Sequence, residues 1–344
     1  MPGELQTAVV GATGYVGLEL ARLLKRHPRL GVPLLLARES KGNFPTDLAD
    51  MFPALSGNGG YALEPFSWAR LHEGGVQLLF LSTPHPVSRT LVPEAIARGL
   101  RVIDLSGAWR LKQERQRALY GLSDDHHELT QRSVYGLPEL NRENIRDAAL
   151  VANPGCYPTS IILALAPLLR RGLLDRGRGI VCDSKSGVSG AGKEPTSRTH
   201  FVSVANNFSA YAVFAHRHTG EMLEQLNLAP HELIFTPHLL PIPRGILSTI
   251  YVHLQQSTSP AELESSFRQF YSDSPWVRIF ATPQLPEIQF SLNSNYCDIG
   301  FALAQDRQRL VLVSCIDNLL KGAAGQAVQS MNVMYGWEEE TGLN

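Results

Sequence analysis

The sequence predicts a two-domain α/β protein, a doubly wound parallel sheet followed by an α+β unit, and three observations carry that prediction. A glycine-rich turn joins an apolar strand candidate to a helix candidate within the first twenty residues. Strand and helix candidates then alternate to about residue 153, the pattern of a parallel sheet covered by helices. Beyond that point long strand candidates follow one another with fewer helices between them, which predicts a mixed or antiparallel sheet. The 344 residues exceed a usual single domain and fit two.

Taken in order, Gln6 to Val10 is a short apolar run that ends in Gly11-Ala-Thr-Gly14-Tyr-Val-Gly17, and Leu18 to Arg26 is helix-like. Strand candidates follow at Val32 to Ala37, Gln77 to Leu81 and Arg101 to Leu105, with a helical pattern from Val87 to Arg98. A further strand from Leu150 to Asn153 ends in Pro154-Gly155-Cys156, and Tyr157 to Arg170 reads as an apolar helix. The domain change is placed there, giving domains 1–153 and 154–316. The second holds strand candidates at Glu232 to Phe235, Leu247 to Leu254, Ile299 to Leu303 and Leu310 to Ile316. Residues Asp317 to Tyr335 look helical, and 317–344 is expected to complete the first domain.

Hydrophobic residues at 44% and charged ones at 18% support a large buried core. With 31 basic and 32 acidic residues intermixed, nothing draws the chain to nucleic acid or to an anionic membrane, so the expected partner is a small molecule. No apolar run has membrane-spanning length, and Met1 to Glu4 lack the pattern of a signal peptide. The four cysteines form no CxxC pair, which suits reduced thiols in a cytoplasmic protein.

Glycines in Gly11-x-x-Gly14-x-x-Gly17 let the backbone turn tightly and approach a pyrophosphate, whose charge the N–H groups of the next helix stabilise. The expected cofactor contacts are Gly11, Thr13, Gly14, Tyr15, Val16 and Gly17, with Ser82 just after the strand candidate at 77–81. The second strand ends in Ala37-Arg38-Glu39-Ser40-Lys41. Arg38 and Ser40 suit the 2′-phosphate of NADP(H), whereas Glu39 turned toward the ribose would favour NAD.

A cysteine directly before a helix has its thiolate stabilised by the positive end of the helix dipole and by free N–H groups, which also suit an oxyanion. Cys156 occupies such a place and is the expected nucleophile. Cys182 and Cys315 lie in apolar strands and Cys297 beside Asp298, so all three are read as structural.

Several of these segments, with Asp104-Leu-Ser-Gly-Ala-Trp-Arg110, Asn153-Pro-Gly-Cys-Tyr-Pro-Thr159, Ser186-Gly-Val-Ser-Gly-Ala-Gly192, His216-Arg-His218, Pro237-His-Leu-Leu-Pro-Ile-Pro-Arg-Gly245 and Lys321-Gly-Ala-Ala-Gly-Gln326, together resemble the N-acetyl-gamma-glutamyl-phosphate reductases of arginine biosynthesis. The resemblance runs from near residue 6 to near residue 333, and aspartate-semialdehyde dehydrogenases share the architecture. It implies a Rossmann domain, a catalytic domain of the glyceraldehyde-phosphate dehydrogenase type, and homodimers or homotetramers. Trp109 and Gly107 stand where the family often has phenylalanine and alanine, which bears on local packing only.

The resemblance also implies the chemistry. Cys156 attacks an acyl phosphate and expels phosphate, and the resulting thioester is reduced by NADPH to the aldehyde. A histidine donates a proton to the oxyanion. His218, ahead of Thr219-Gly-Glu221 at a helix start, is preferred for this, with His216 orienting it; the pair lacks a third ligand at metal spacing, so no metal site is expected. Asp124-Asp-His-His127 is read as a solvated loop. Arg110 and Arg244 are the expected cations for the substrate's phosphate and carboxylate, with Lys185 beside them. The Gly/Ser-rich loop from Lys185 to Lys193, through Ser189 and Gly190, is assigned to the pocket, and Asn318 to the nicotinamide amide. Alternatives are a sister reductase of aspartyl or N-acetyl-aminoadipyl phosphate, and a non-catalytic dinucleotide-binding regulator; the His216-Arg-His218 segment and the Pro-Arg-Gly loop favour glutamyl over aspartyl.

Overall fold

The structure, a computed structural model, describes residues 4–37, 46–57, 60–123 and 125–344. It divides into two compact units, one comprising Met1–Arg110, Asp125–Asn153 and Ala323–Asn344, the other Leu111–Asp124 and Pro154–Gly322.

In the first unit, among the described residues, β1 (Thr7–Val10), β2 (Leu34–Ala37), β3 (Leu63–Pro65), β4 (Leu78–Leu81), β5 (Arg101–Asp104), β6 (Val134–Tyr135) and β7 (Leu150–Ala152) form one parallel sheet in the order β3-β2-β1-β4-β5-β7-β6. The central strands are buried on both faces, which is why they read as continuous apolar runs rather than alternating ones. The chain runs outward from β1 through β2 to β3 and then returns to place β4 on the other side of β1. That reversal makes the carboxyl ends of β1 and β4 the place where an open parallel sheet binds ligands. The C-terminal helix Gly325–Met334 is buried along its length and packs on the helices Tyr15–Arg26 and Pro138–Arg146. It follows a π-helical turn, Leu320–Ala324, so the helical segment begins three residues later than Asp317.

The second unit holds β8 (Ile180–Gly187), β9 (Ser209–Ala210), β10 (Leu233–Leu240), β11 (Ile246–His253), β12 (Val277–Ile279), β13 (Cys297–Leu303) and β14 (Arg309–Ile316) in the order β12-β13-β14-β11-β8-β10-β9. The sheet is mixed: β8 runs parallel to β10 and antiparallel to β11. Burial alternates along β8 and β10, so one face carries the core. The apolar helix Cys156–Arg170 covers that face, with Tyr157 to Leu168 all buried. Its Ser160 hydroxyl meets those of Ser248 and Ser314, each 3.0 Å away, and Ser184 joins Ser248 at 2.8 Å. These buried hydroxyls satisfy one another, which removes a desolvation cost of about 1–3 kcal/mol for each group left unpaired.

Four readings change. Residues 317–322 belong with the second unit, so Ala323–Asn344 is the segment that returns to the first. Residues 111–124 belong with the second unit because the Lys112 N–H donates to Glu224 at 2.9 Å and Leu111 packs on Gly220. Lys185 and Ser186 lie on β8, and the loop proper is the short 3₁₀ turn Val188–Ala191. The segment read as a solvated loop is not one: Asp125 pairs with the buried Arg89 and His127 begins the helix His127–Arg132, while Asp124 lies outside the described residues.

Candidate active site

In the first unit the turn after β1 is built from glycines for steric reasons. Gly11 has φ +87°, and a Cβ there would lie 2.3 Å from the Ser82 carbonyl oxygen at the end of β4. A Cβ at Gly17 would lie 2.2 Å from the Gly11 oxygen, so the helix packs directly on the turn. A Cβ at Gly14 would meet only the Gly11 oxygen, at 3.7 Å, so this position faces open space. It caps the helix Tyr15–Arg26 in an extended conformation with no side-chain cap. The N–H groups of Tyr15, Val16 and Gly17 thus form the exposed positive end of the helix. Such a cradle fits a pyrophosphate. Thr13 belongs to the same turn, and Ser82 donates its N–H to Val10 at 2.9 Å. Arg38, Glu39 and Ser40 lie outside the described residues.

The segment after β5 is organised by a buried carboxylate. Asp104 accepts from Ser88 at 2.7 Å and from Ser106 at 2.6 Å, and burial pushes its carboxyl up to about 6 against those hydrogen bonds and the Arg110 charge. Ser88 in turn accepts from the Trp109 indole at 2.9 Å, and Arg89 stacks over that ring, which gives the large Trp109 a filled, satisfied site. Arg110 is itself buried. Its guanidinium donates to the Asn153 carbonyl at 2.7 Å and to the Leu105 carbonyl at 2.9 Å, tying together the segments that leave β5 and β7.

In the second unit Cys156 is the first residue of its helix rather than the residue before it, and Gly155 is the N-cap. The thiol is half-buried, whereas Cys182, Cys297 and Cys315 are buried, and burial pushes the thiols of Cys182 and Cys315 up. Gly155 carries no side chain because there is no room for one. A Cβ there would lie 2.6 Å from His218 Nε2, 2.8 Å from His218 Cε1 and 2.9 Å from Glu221 Oε1. Gly322 presses in the same way on Cys156, where an added Cβ would come within 2.8 Å of the cysteine Cβ.

His218 is the N-cap of the helix Thr219–Gln225, and Glu221 in its first turn is completely buried. The carboxylate accepts from the Gly155 N–H at 2.9 Å and from the Tyr120 hydroxyl, and lies 4.0 Å from His218 Nε2. His216 accepts the backbone N–H of His218 on Nδ1 at 3.1 Å. Burial, helped by the Arg217 charge, pushes the His216 imidazole down to about 4. The Tyr157 ring stands edge-on to both imidazoles, and its hydroxyl donates to the His238 carbonyl at 3.1 Å and accepts from Tyr211 at 3.2 Å.

Cys156, His216, His218, Tyr211, Arg198 and Arg217 line one cavity of about 620 Å³, to which Ser186 and Gly190 also contribute. Among its described lining residues there is no Asp or Glu, so its charge is positive. Three other expected site residues have protein partners in this unit. Lys185 pairs with Asp183 at 2.8 Å, and Arg244 with the buried Asp317 at 3.1 Å. Asn318 accepts the Gly245 N–H at 2.7 Å and donates to Ser189 at 2.9 Å, joining two loops. Residues that sequence reasoning missed are Glu221, Tyr120, Gly322, Arg198 and Arg217. Arg217 and Gly322 stand inside segments singled out for other residues, and Glu221 left a signal as a charged residue inside the otherwise apolar run Gly220 to Leu223.

The semialdehyde dehydrogenase NAD-binding domain family matches residues 6–148, and the semialdehyde dehydrogenase dimerisation domain family matches residues 156–318. The chain is 42% identical to an N-acetyl-gamma-glutamyl-phosphate reductase of Desulfotalea psychrophila, over 98% of each chain. It is 43% identical to one of Geotalea daltonii, again over 98% of each. Among solved structures it is similar to aspartate semialdehyde dehydrogenase II of Vibrio cholerae, with a TM-score of 0.72 and 18% identity over 97% of this chain and 98% of that one. A Candida albicans aspartate semialdehyde dehydrogenase with NADP has a TM-score of 0.67 and 13% identity over 97% and 99%. These two likenesses concern the fold.

Proposed function

The chain belongs to the family of N-acetyl-gamma-glutamyl-phosphate reductases, and from that premise we propose that it converts N-acetyl-gamma-glutamyl phosphate to N-acetylglutamate 5-semialdehyde and phosphate, through a thioester on Cys156 and with NADPH as reductant. It is an oxidoreductase of arginine biosynthesis that acts on an acyl phosphate and binds a nicotinamide dinucleotide. The observation that carries the mechanism is that one cationic cavity is lined by a helix-end thiol and by the imidazole packed against the residue before it.

The Cys156 sulfur forms a bond to the acyl carbon, the carbon–oxygen bond to phosphorus breaks, and phosphate leaves with that electron pair. Helix-end N–H groups of Cys156 and Tyr157 favour both the thiolate and the oxyanion; Pro158 has no N–H to add. When bound, the dinucleotide supplies hydride to the thioester carbon. Gly11, Thr13, Gly14, Tyr15, Val16, Gly17 and Ser82 are the residues that would hold it, with Arg38 and Ser40 selecting the 2′-phosphate. His218 gives a proton to the oxygen at that carbon and takes it back as the carbon–sulfur bond breaks, restoring the thiolate. His216 stays neutral and holds the backbone from which the His218 side chain springs, by accepting the backbone N–H of that residue. Glu221 holds the Gly155 turn and the imidazole in one arrangement, and Arg110 acts as a tie between backbone segments. A cytoplasmic location and a homodimer or homotetramer complete the proposal, the self-association supported by the match to a dimerisation domain.

The test is phosphate-dependent oxidation of three aldehydes: N-acetylglutamate semialdehyde, its one-methylene-longer aminoadipate homologue and aspartate semialdehyde, each with NADP and NAD. The reading predicts the glutamate compound with NADP as the best pair. Preference for another aldehyde, or no turnover with any, overturns it. A non-catalytic regulator would give the second result.

A further inference from the structure

A second cavity, of about 250 Å³, adjoins the one that holds the thiol: both are lined by Ser197, Arg198 and Leu239. Its remaining lining comes from Ser203, Val204, Asn207 and Ser209, on the short helix Phe201–Val204, the turn after it, and β9. A single cation, several hydroxyls, one carboxamide and two apolar side chains meet there, and among the described lining residues there is no Asp or Glu. This chemistry matches an acylamino acid end. An α-carboxylate suits the guanidinium, an amide suits hydroxyls and a carboxamide, and a methyl suits Val204 and Leu239.

Resting on the function proposed above, we infer that this smaller cavity is the subsite for the acetamido and α-carboxylate end of the substrate, with Arg198 as the residue that selects a free carboxylate. Arg198 lines both cavities, so a molecule whose acyl carbon lies at Cys156 in the larger one can place its far end against the same guanidinium. The guanidinium is already oriented, stacked at 5.3 Å over the ring of Tyr211, whose hydroxyl bonds Tyr157 beside the thiol. Arg244, the cation expected from sequence in this unit, is held instead by the buried Asp317. Asn207 is positioned by donating to the Ser203 carbonyl at 2.9 Å, which leaves its carbonyl oxygen as an acceptor for an amide N–H.

The experiment compares N-acetylglutamate semialdehyde with its α-carboxamide, and with the analogue that has hydrogen in place of the acetamido group, in the whole enzyme and in Arg198→Met and Asn207→Leu. Both positions are on exposed surface turns, and thermal unfolding checks that the variants fold. A charge-assisted pair makes the unaltered enzyme prefer the acid to the carboxamide by about 10–100-fold in kcat/KM. Arg198→Met is expected to lower that ratio to near one, mainly through KM, and Asn207→Leu to reduce the preference for the acetylated compound. Turnover with both ratios unchanged in the variants overturns the subsite alone. No turnover of N-acetylglutamate semialdehyde by the unaltered enzyme overturns the proposed reaction and the subsite with it.

Discussion

Gly155→Ala isolates the packing that aligns the site. The backbone there has φ −71° and ψ 152°, which alanine adopts without strain, so any effect comes from the added methyl group. That carbon would lie 2.6 Å from His218 Nε2, against an ordinary contact of about 3.5 Å, so the imidazole or the helix end moves by about 0.9 Å. Glu221, at 2.9 Å, is fully buried and bonded to the Gly155 N–H, so it cannot yield alone. A displacement of about 1 Å between reacting groups costs about 100-fold in rate. Overpacking adds about 1–3 kcal/mol of instability, or about 2–4 °C in Tm for each kcal/mol. Steady-state kinetics should therefore show kcat down about 100-fold with a modest loss in Tm. Dinucleotide affinity, measured by titration, should be unchanged, because the glycine turn belongs to the other unit. A variant whose kcat stays within about threefold of the parent would refute the claim that this contact sets the geometry.

Two further perturbations probe charge. The His216 imidazole is held down to about 4 when folded and titrates near 6.5 when unfolded, so the unfolded chain binds the proton first as pH falls. Stability from this group is complete above about 6.5 and is lost toward 4, about 3 kcal/mol in all. Denaturant unfolding of His216→Asn should show a shallower loss than the parent between those limits; identical slopes would mean that the ring is not buried neutral. Arg38→Ala should weaken NADPH binding far more than NADH binding, as read by fluorescence titration. Equal losses would leave Glu39 as the ribose contact and NAD as the cofactor.

The parallel sheet and its glycine turn were legible because their causes are local. Gly11 needs a left-handed φ, Gly17 needs close helix packing, and both leave a spacing that any reader can find. The place of Cys156 at a helix start was legible for the same reason, since such a start can be seen in sequence. What escaped depends on residues distant along the chain. Tyr120 and Glu221 are 101 positions apart and meet only because residues 111–124 fold onto the second unit. Arg110 and Arg244 look like free cations in sequence, yet their guanidinium groups are taken by backbone carbonyls and by a buried aspartate. Arg198 sits in an unremarked stretch and Arg217 between two histidines that drew the attention, and it is the cavity that distinguishes both cations. Glycines reveal turns by φ, but Gly155 and Gly322 are required by what stands against them, which no local pattern records.

The central claim is an acyl group carried on Cys156. Mixing the enzyme with N-acetyl-gamma-glutamyl phosphate in the absence of dinucleotide, followed by rapid acid quench and peptide mass analysis, should give a stoichiometric burst of phosphate. It should also give the mass of the acyl group on the peptide that contains Cys156, and Cys156→Ser should give neither. Phosphate released at the same rate by Cys156→Ser, or acyl mass on another side chain, would contradict the account.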